Sequence, residues 1–155
     1  MMQQIVCFWV RGIPKAQPRP RAFARKIGGT FVARVYEAGT AEAWKSDVIV
    51  AARPLRPSSP IQGPVRVSLV VLHPRPKRLM RAKDPDGPLF CTSKPDRDNL
   101  DKAVLDALKT DGWFLDDAQV VDGRIRKGYH SKTGAPGAWI TILPIDDLAF
   151  HVEDP

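Results

Sequence analysis

The stretch Asp98-Asn-Leu-Asp-Lys-Ala-Val-Leu-Asp-Ala-Leu-Lys109, then Asp111-Gly112, then Gln119-Val-Val-Asp-Gly-Arg-Ile-Arg-Lys127, sets the order of the central elements. Leu100, Ala103, Val104, Ala107 and Leu108 gather on one side of a helical wheel, so the spacing predicts an amphipathic helix from about Asp98 to Lys109. Asp111-Gly112 supplies its stop, because glycine tolerates the left-handed conformation that ends helices. Gln119 to Lys127 then reads as a strand with Val121, Gly123 and Ile125 on one face.

Working outward, Val65-Arg-Val-Ser-Leu-Val-Val-Leu72 is the strongest strand, alternating first and then continuously apolar. Ile5 to Val10 reads as a buried strand, with Cys7 as a small buried hydrophobe. Phe31 to Tyr36 reads as a shorter strand, and Gly137 to Ile145 as the last one. Thr40 is positioned to cap a helix running to about Ala52, with Ala41, Trp44, Val48 and Ala51 on its apolar face. Between these elements lie Pro-rich basic segments. Residues 11–21 hold Pro14, Pro18 and Pro20 with Lys15, Arg19 and Arg21, and their prolines forbid a helix or an interior strand, so these cations, followed by Arg25 and Lys26, are expected on a semi-extended surface segment. Residues 53–64 read as a loop. Residues 73–94 carry Arg75, Lys77, Arg78, Arg81 and Lys83, a length without an element that is more often functional or disordered than structural. Leu79, Met80 and Phe90 within it either anchor the loop to the core or meet DNA bases. The acidic tail after Pro144 is expected to be peripheral.

The chain has 155 residues, enough for one domain, with neither repeats nor a domain boundary. Its 24 Lys plus Arg against 17 Asp plus Glu give a formal charge of +7, which favours a polyanionic partner through counterion release. Cys7 and Cys91 form neither a disulfide framework nor a zinc spacing. No stretch has the length of a membrane span and no signal peptide opens the chain, so a cytoplasmic protein is expected.

The chemistry points to the acids. Asp96 and Asp98 stand one residue apart before the central helix, and Asp116-Asp117 stands just before the next strand. Capping accounts for Asp98, with Asp101 three residues on as an approximate capping box. It accounts for neither Asp96 nor Asp116-Asp117. Lys102 lies one turn after Asp98 and almost opposite the apolar face, so it points where Asp98 points. An Asp98–Lys102 surface pair contributes only a few tenths of a kcal/mol. The functional alternative is a cation held beside an acidic metal site and able to contact a phosphate.

Converging carboxylates repel: two like charges about 4 Å apart at an effective dielectric of about 20 cost roughly 4 kcal/mol. A hard cation relieves this, and oxygen ligands without His or Cys select Mg²⁺ or Mn²⁺. Other motifs fail. Read as a calcium loop from Asp96, the chain places Asp101 where glycine is needed and Ala107 at the last ligand position. No phosphate-binding GxxxxGK[ST] or dinucleotide-binding GxGxxG pattern occurs. His73, His130 and His151 lack ligand spacing and read as ordinary surface or loop residues. Charged surface without chemistry remains an alternative on spacing alone.

Lys94-Pro95-Asp96-Arg97-Asp98-Asn99-Leu100, Lys102, Leu105-Asp106-Ala107-Leu108 and Asp116-Asp117-Ala118-Gln119-Val120 resemble the signature of the RusA family of Holliday-junction resolvases. Arg11-Gly-Ile-Pro and Arg19-Pro20-Arg21 resemble that family's N-terminal pattern. The resemblance is dense from Lys94 to Lys127. It implies a small α+β domain, with a mixed sheet of about four strands and two main helices. It further implies a homodimer that cuts four-way DNA junctions by two symmetric nicks with Mg²⁺, of a kind widespread in bacteria and their phages or prophages. By resemblance Asp96, Asp98 and Asp117 are the catalytic, metal-holding acids and Lys102 the catalytic lysine. Asp116 matches the neighbouring acid. Two departures stand out: Arg97 occupies a commonly apolar position, and the 73–94 segment is longer than in compact members.

The expectation is therefore a dimeric nuclease in which Asp96, Asp98 and Asp117, assisted by Asp116, hold Mg²⁺ and Lys102 stabilises charge on the phosphate. Arg19, Arg21, Lys77, Arg78 and Arg81 are the candidate DNA-backbone contacts. Alternatives are a nuclease on flaps or forks, and a non-catalytic DNA-binding module.

Overall fold

A computed structural model describes residues 4–36 and 39–146. In chain order the elements are β1 (Val6–Arg11), β2 (Arg21–Ile27), β3 (Thr30–Tyr36), α1 (Glu42–Ala52), β4 (Val65–His73), β5 (Leu89–Phe90), α2 (Arg97–Thr110), β6 (Val120–Asp122), β7 (Ile125–Tyr129) and β8 (Gly137–Pro144). Single 3₁₀ turns occupy Arg53–Leu55, Lys77–Leu79 and Asp117–Gln119. The residues after Asp146, which include His151 and most of the acidic tail, lie outside the described residues.

The sheet is mixed and has six strands, ordered β1-β8-β4-β7-β5 with β6 also on β4. β4 pairs antiparallel with β8 and parallel with β6 and β7. The count exceeds the four or so expected, because the two-residue β5 and the three-residue β6 are too short to leave a periodic signal.

Alternation places the core. Val65, Val67, Leu69 and Val71 of β4, Phe8 and Val10 of β1, and Ala138, Ile140 and Ile142 of β8 are buried together. Against them pack Trp44, Val48 and Ala52 of α1 and Leu100, Ala103, Val104, Ala107 and Leu108 of α2. The helices thus cover one face of the sheet, with Trp113 and Phe114 in the same core. The opposite face carries Cys7, Trp9, Thr141 and Trp139, and Trp9 packs on Trp139 with ring centroids 5.4 Å apart. β1 is therefore buried on one side only. Cys7 is exposed rather than a core residue, because in a strand Phe8 and Val10 claim the inward positions.

Three boundaries differ from expectation for local reasons. α1 begins at Glu42 with Ala41 at the N-cap and no side-chain cap bond, so Thr40 is not its cap. The strand expected over 119–127 is broken at Gly123, whose φ is 150° and whose missing Cβ would lie 1.8 Å from the Val67 carbonyl oxygen. Only glycine allows this close approach, and it separates β6 from β7. β2 forms where a semi-extended surface segment was expected: Gly28 and Gly29 both take positive φ and join β2 to β3 in a separate two-stranded hairpin. α2 stops as the sequence predicts, with Gly112 at φ 84° and the Gly112 N–H donating to the Lys109 carbonyl.

The 73–94 segment is organised by one buried cation. The Arg75 guanidinium donates to the carbonyls of Leu79 (2.9 Å), Gly87 (2.8 Å) and Pro85 (2.6 Å). A planar fork of five donors can close a loop on itself in this way. Arg75 is thus structural, and the segment is a folded loop.

Candidate active site

α2 starts one residue earlier than predicted. Asp96 occupies the N-cap position with extended backbone, φ −72° and ψ 146°, but its carboxylate makes no cap bond. Asp98 lies in the first helical turn rather than at the cap, and Asp101 therefore does not complete a capping box. Asp101 is half-buried, and burial raises its carboxyl above the usual range. Capping explains neither Asp96 nor Asp98. Both carboxylates meet exposed cations instead: Lys94 at 3.2 Å from Asp96, and Arg19 at 3.4 Å from Asp98.

The second acidic pair divides its work. Asp116 caps the 3₁₀ turn: its Oδ1 accepts from the Ala118 N–H at 2.9 Å, while Gln119 Oε1 accepts from the Asp116 N–H at 3.0 Å. Gln119 Nε2 also donates to the carbonyls of Ile61 and Gly63, which fastens the turn to the domain. Asp117, freed from capping, accepts from Lys102 Nζ at 2.5 Å. Lys109 lies 3.5 Å from Asp116 and 3.7 Å from Asp117.

Lys102 does point toward the acids, although its partners are Asp117 and Asp106, the latter at 2.7 Å, rather than Asp98. Asp106 first and Asp117 second hold its ammonium charged by raising its pKa. Reciprocally, the Lys102 hydrogen bond draws the Asp117 carboxyl down to about 2. Opposite charge at hydrogen-bond distance favours both ionised forms.

Asp96 and Asp98 are tied to α2, and Asp117 is tied to α2 through Lys102. Among the described residues, however, no three acid, imidazole or thiol groups form a ready metal-ligand set. Each carboxylate is met by at least one cation, which relieves the repulsion expected of uncompensated acids. The donors remain hard oxygens on a solvent-facing surface, a chemistry that fits Mg²⁺ or Mn²⁺.

Two residues have positioning roles that the motif did not reveal. Lys127 on β7 donates to the carbonyls of Ser93 (2.6 Å) and Pro95 (2.8 Å), fixing the backbone that delivers Asp96. Asp106 holds Lys102 from the next helical turn. The i, i+4 spacing could have signalled Asp106, whereas nothing local to Lys127 predicts a contact more than thirty residues away.

A cleft of about 710 Å³ lies beside Asp96, walled by Ile13 to Arg19 on one side and by Lys94, Pro95 and Asn99 on the other. The Gln17 N–H donates to the Asn99 carbonyl at 2.8 Å, tying the N-terminal segment to α2. His73 lines this cleft at the end of β4 and is 7% exposed, so it is not the surface residue expected. The strand alternation that buries Val71 buries it too. Burial, then the charges of Lys127 and Lys15, lowers its pKa and keeps the imidazole neutral.

The candidate DNA contacts separate. Arg19 sits on the cleft wall and meets Asp98. Lys77 and Arg78 are exposed on their 3₁₀ turn and form no ion pair among the described residues. Arg81 is bound to Asp84, 3.2 Å away, so part of its charge serves the loop. The Arg21 side chain lies outside the described residues. Of the apolar loop residues, Leu79 is half-buried, whereas Met80 and Phe90 are exposed, Phe90 at 83%. No helix among the described residues is long and apolar enough to cross a membrane.

A helix-initiating acidic turn, a lysine one turn on and a second acidic turn joined to that lysine are thus set in one α+β domain. A profile of the family described as Endodeoxyribonuclease RusA matches residues 12–142. The Bacillus subtilis (strain 168) protein YqaN is 36% identical over 130 residues, covering 81% of this chain and 88% of YqaN. The crossover junction endodeoxyribonuclease RusA of Escherichia coli (strain K12) is 56% identical over 48 residues, 31% of this chain and 40% of that relative. The protein of the same name from Enterobacteria phage 82 is 50% identical over 48 residues. The chain belongs to the RusA family of endodeoxyribonucleases. The matches to proteins named RusA span only 40% of their length.

Proposed function

We propose that this protein is a homodimeric, structure-selective endodeoxyribonuclease that resolves four-way DNA junctions by paired symmetric nicks. Asp96, Asp98 and Asp117 hold Mg²⁺, or Mn²⁺ in its place, with Asp116 fixing Asp117 and assisting. The observation that carries this reading is the Lys102–Asp117 contact, which joins the second acidic turn to the helix that begins at Asp96 and Asp98. When bound, the metal supplies an activated water and neutralises charge at phosphorus. The chain's own residues then orient and hold. Lys102 presents its ammonium where charge grows on the phosphate, with Asp106 and Asp117 keeping it protonated. Lys127 fixes the backbone before Asp96. Arg19, Arg21, Lys77, Arg78 and Arg81 contact the DNA backbone. With about six such contacts, affinity falls roughly 10³-fold between about 50 and 200 mM salt. A dimer places two such sites on one junction, which paired nicking requires.

A non-catalytic DNA-binding module is the second reading, favoured by the cation already paired with each carboxylate. Labelled four-way, forked and linear DNA incubated with and without Mg²⁺ separates the readings. Symmetric Mg²⁺-dependent nicks confined to the four-way substrate support resolution. Cleavage of forks or flaps instead moves the assignment to another branched substrate, and binding without any cleavage supports the module.

A further inference from the structure

The β2–β3 hairpin is unlike the rest of the molecule. It pairs only with itself, over seven residue pairs from Arg21↔Tyr36 to Ile27↔Thr30, and forms a sheet separate from the main one. A two-stranded ribbon is marginal by itself, so its retention calls for a partner. Its sequence, residues 21–36, carries Arg21, Arg25, Lys26 and Arg34 and no acid. Arg25 and Lys26 are exposed and form no ion pair with any acid among the described residues. Beside them stand apolar side chains in water: Phe23, Ile27 and Phe31, the last 72% exposed. The Lys26 ammonium lies 5.9 Å from the Phe31 ring centroid, a cation–π arrangement that holds charge and aromatic face together.

We propose that this ribbon is a DNA-contacting arm, which rests on the nucleic-acid reading above and adds a surface to it. Three features favour this partner. The arm has cations without acids, complementary to phosphate. A two-stranded ribbon has the cross-section that the major groove admits. The arm also springs from the site: Arg19, two residues before β2, meets Asp98, and Gln17 is bound to Asn99. Seven residues reach about 20 Å from that root, so the arm engages DNA on the strand leading into the cleft. Phe23 and Phe31 stand on opposite faces of the ribbon, so whichever face meets the DNA offers a ring that can stack on bases unpaired at a branch.

The test uses the full chain with Arg25→Ala/Lys26→Ala, and separately Phe23→Ser/Phe31→Ser. Binding to labelled four-way DNA is measured without divalent metal across a salt series, with thermal melting and sedimentation of each protein. The charge variant is expected to bind about three- to tenfold more weakly, with a salt slope shallower by about 2, while its melting midpoint is unchanged. Wild-type affinity and slope in that variant overturn the arm. So does conversion of a wild-type dimer to monomers by the Phe variant, which assigns the ribbon to a second copy. Wild-type protein that binds but never cleaves removes the nuclease reading and leaves the arm. Cleavage by wild type with unaltered binding by the charge variant removes the arm alone.

Discussion

The two acidic pairs use the same residue type to different ends. Asp116 spends a carboxylate oxygen on the backbone of its own turn, and its neighbour Asp117 is left for Lys102. Asp96 and Asp98 cap nothing, although they flank the start of a helix where acids ordinarily cap. One acid of four caps backbone, while Asp96 and Asp98 are exposed and the half-buried Asp117 meets Lys102. A carboxylate whose partner is a solvent-exposed cation rather than backbone contributes little to folding, so these three positions are the ones function must explain.

The division is broken most easily at Asp117 against Asp116. Asp117→Asn is expected to lower cleavage at least about a hundredfold, a loss of several kcal/mol of charge stabilisation. Its melting midpoint should fall only slightly, because the Lys102–Asp117 pair that it removes is partly screened by solvent. Asp116→Ala should do the reverse in emphasis, lowering stability by about 1 kcal/mol through the lost cap. Denaturant titration and cleavage rates on the same preparations compare them. A fully stable but inactive Asp116→Ala would move Asp116 into the metal set.

Lys102→Met should come next, lowering cleavage about ten- to a hundredfold by removing one preorganised donor. The same change should alter the pH dependence of stability. The folded carboxyl of Asp117 lies near 2, below its ordinary 3.8, so its contribution is present above 3.8 and is lost as pH falls through about 2. Acid unfolding followed by circular dichroism should therefore show part of that low-pH slope in wild type and lose it in Lys102→Met.

The smallest effect concerns His73. Its folded pKa is lowered, so the unfolded chain takes up a proton first as pH falls below 6.5, and stability declines there. His73→Gln should flatten that part of the profile. An unchanged slope would mean that another group titrates in this window.

Local pattern made some elements legible and hid others. β4 and α2 carry uninterrupted periodicity, and Gly112 marks a stop, so their places follow from residue spacing alone. The break at Gly123 depends on the Val67 carbonyl of a neighbouring strand, which no window around Gly123 contains. β2 did leave a signal, Gly28-Gly29 between two β-forming runs, but its cations and missing core contacts masked it. Among the basic residues, count misleads. Arg75 is buried and closes its own loop, whereas Lys77 and Arg78 two positions on are exposed. In the site, the acids and Lys102 were named by motif, but the pairing of Lys102 with Asp106, of Arg19 with Asp98, and of Lys127 with the Ser93 and Pro95 carbonyls came only from the fold.

The central claim is that the uncapped acids perform Mg²⁺-dependent cleavage. Its most direct test is one labelled four-way junction, bound and cleaved in parallel by wild type and Asp98→Asn. The account predicts symmetric Mg²⁺-dependent nicking by wild type, and no nicking by Asp98→Asn with junction binding equal or tighter. Nicking by Asp98→Asn at the wild-type rate would contradict it.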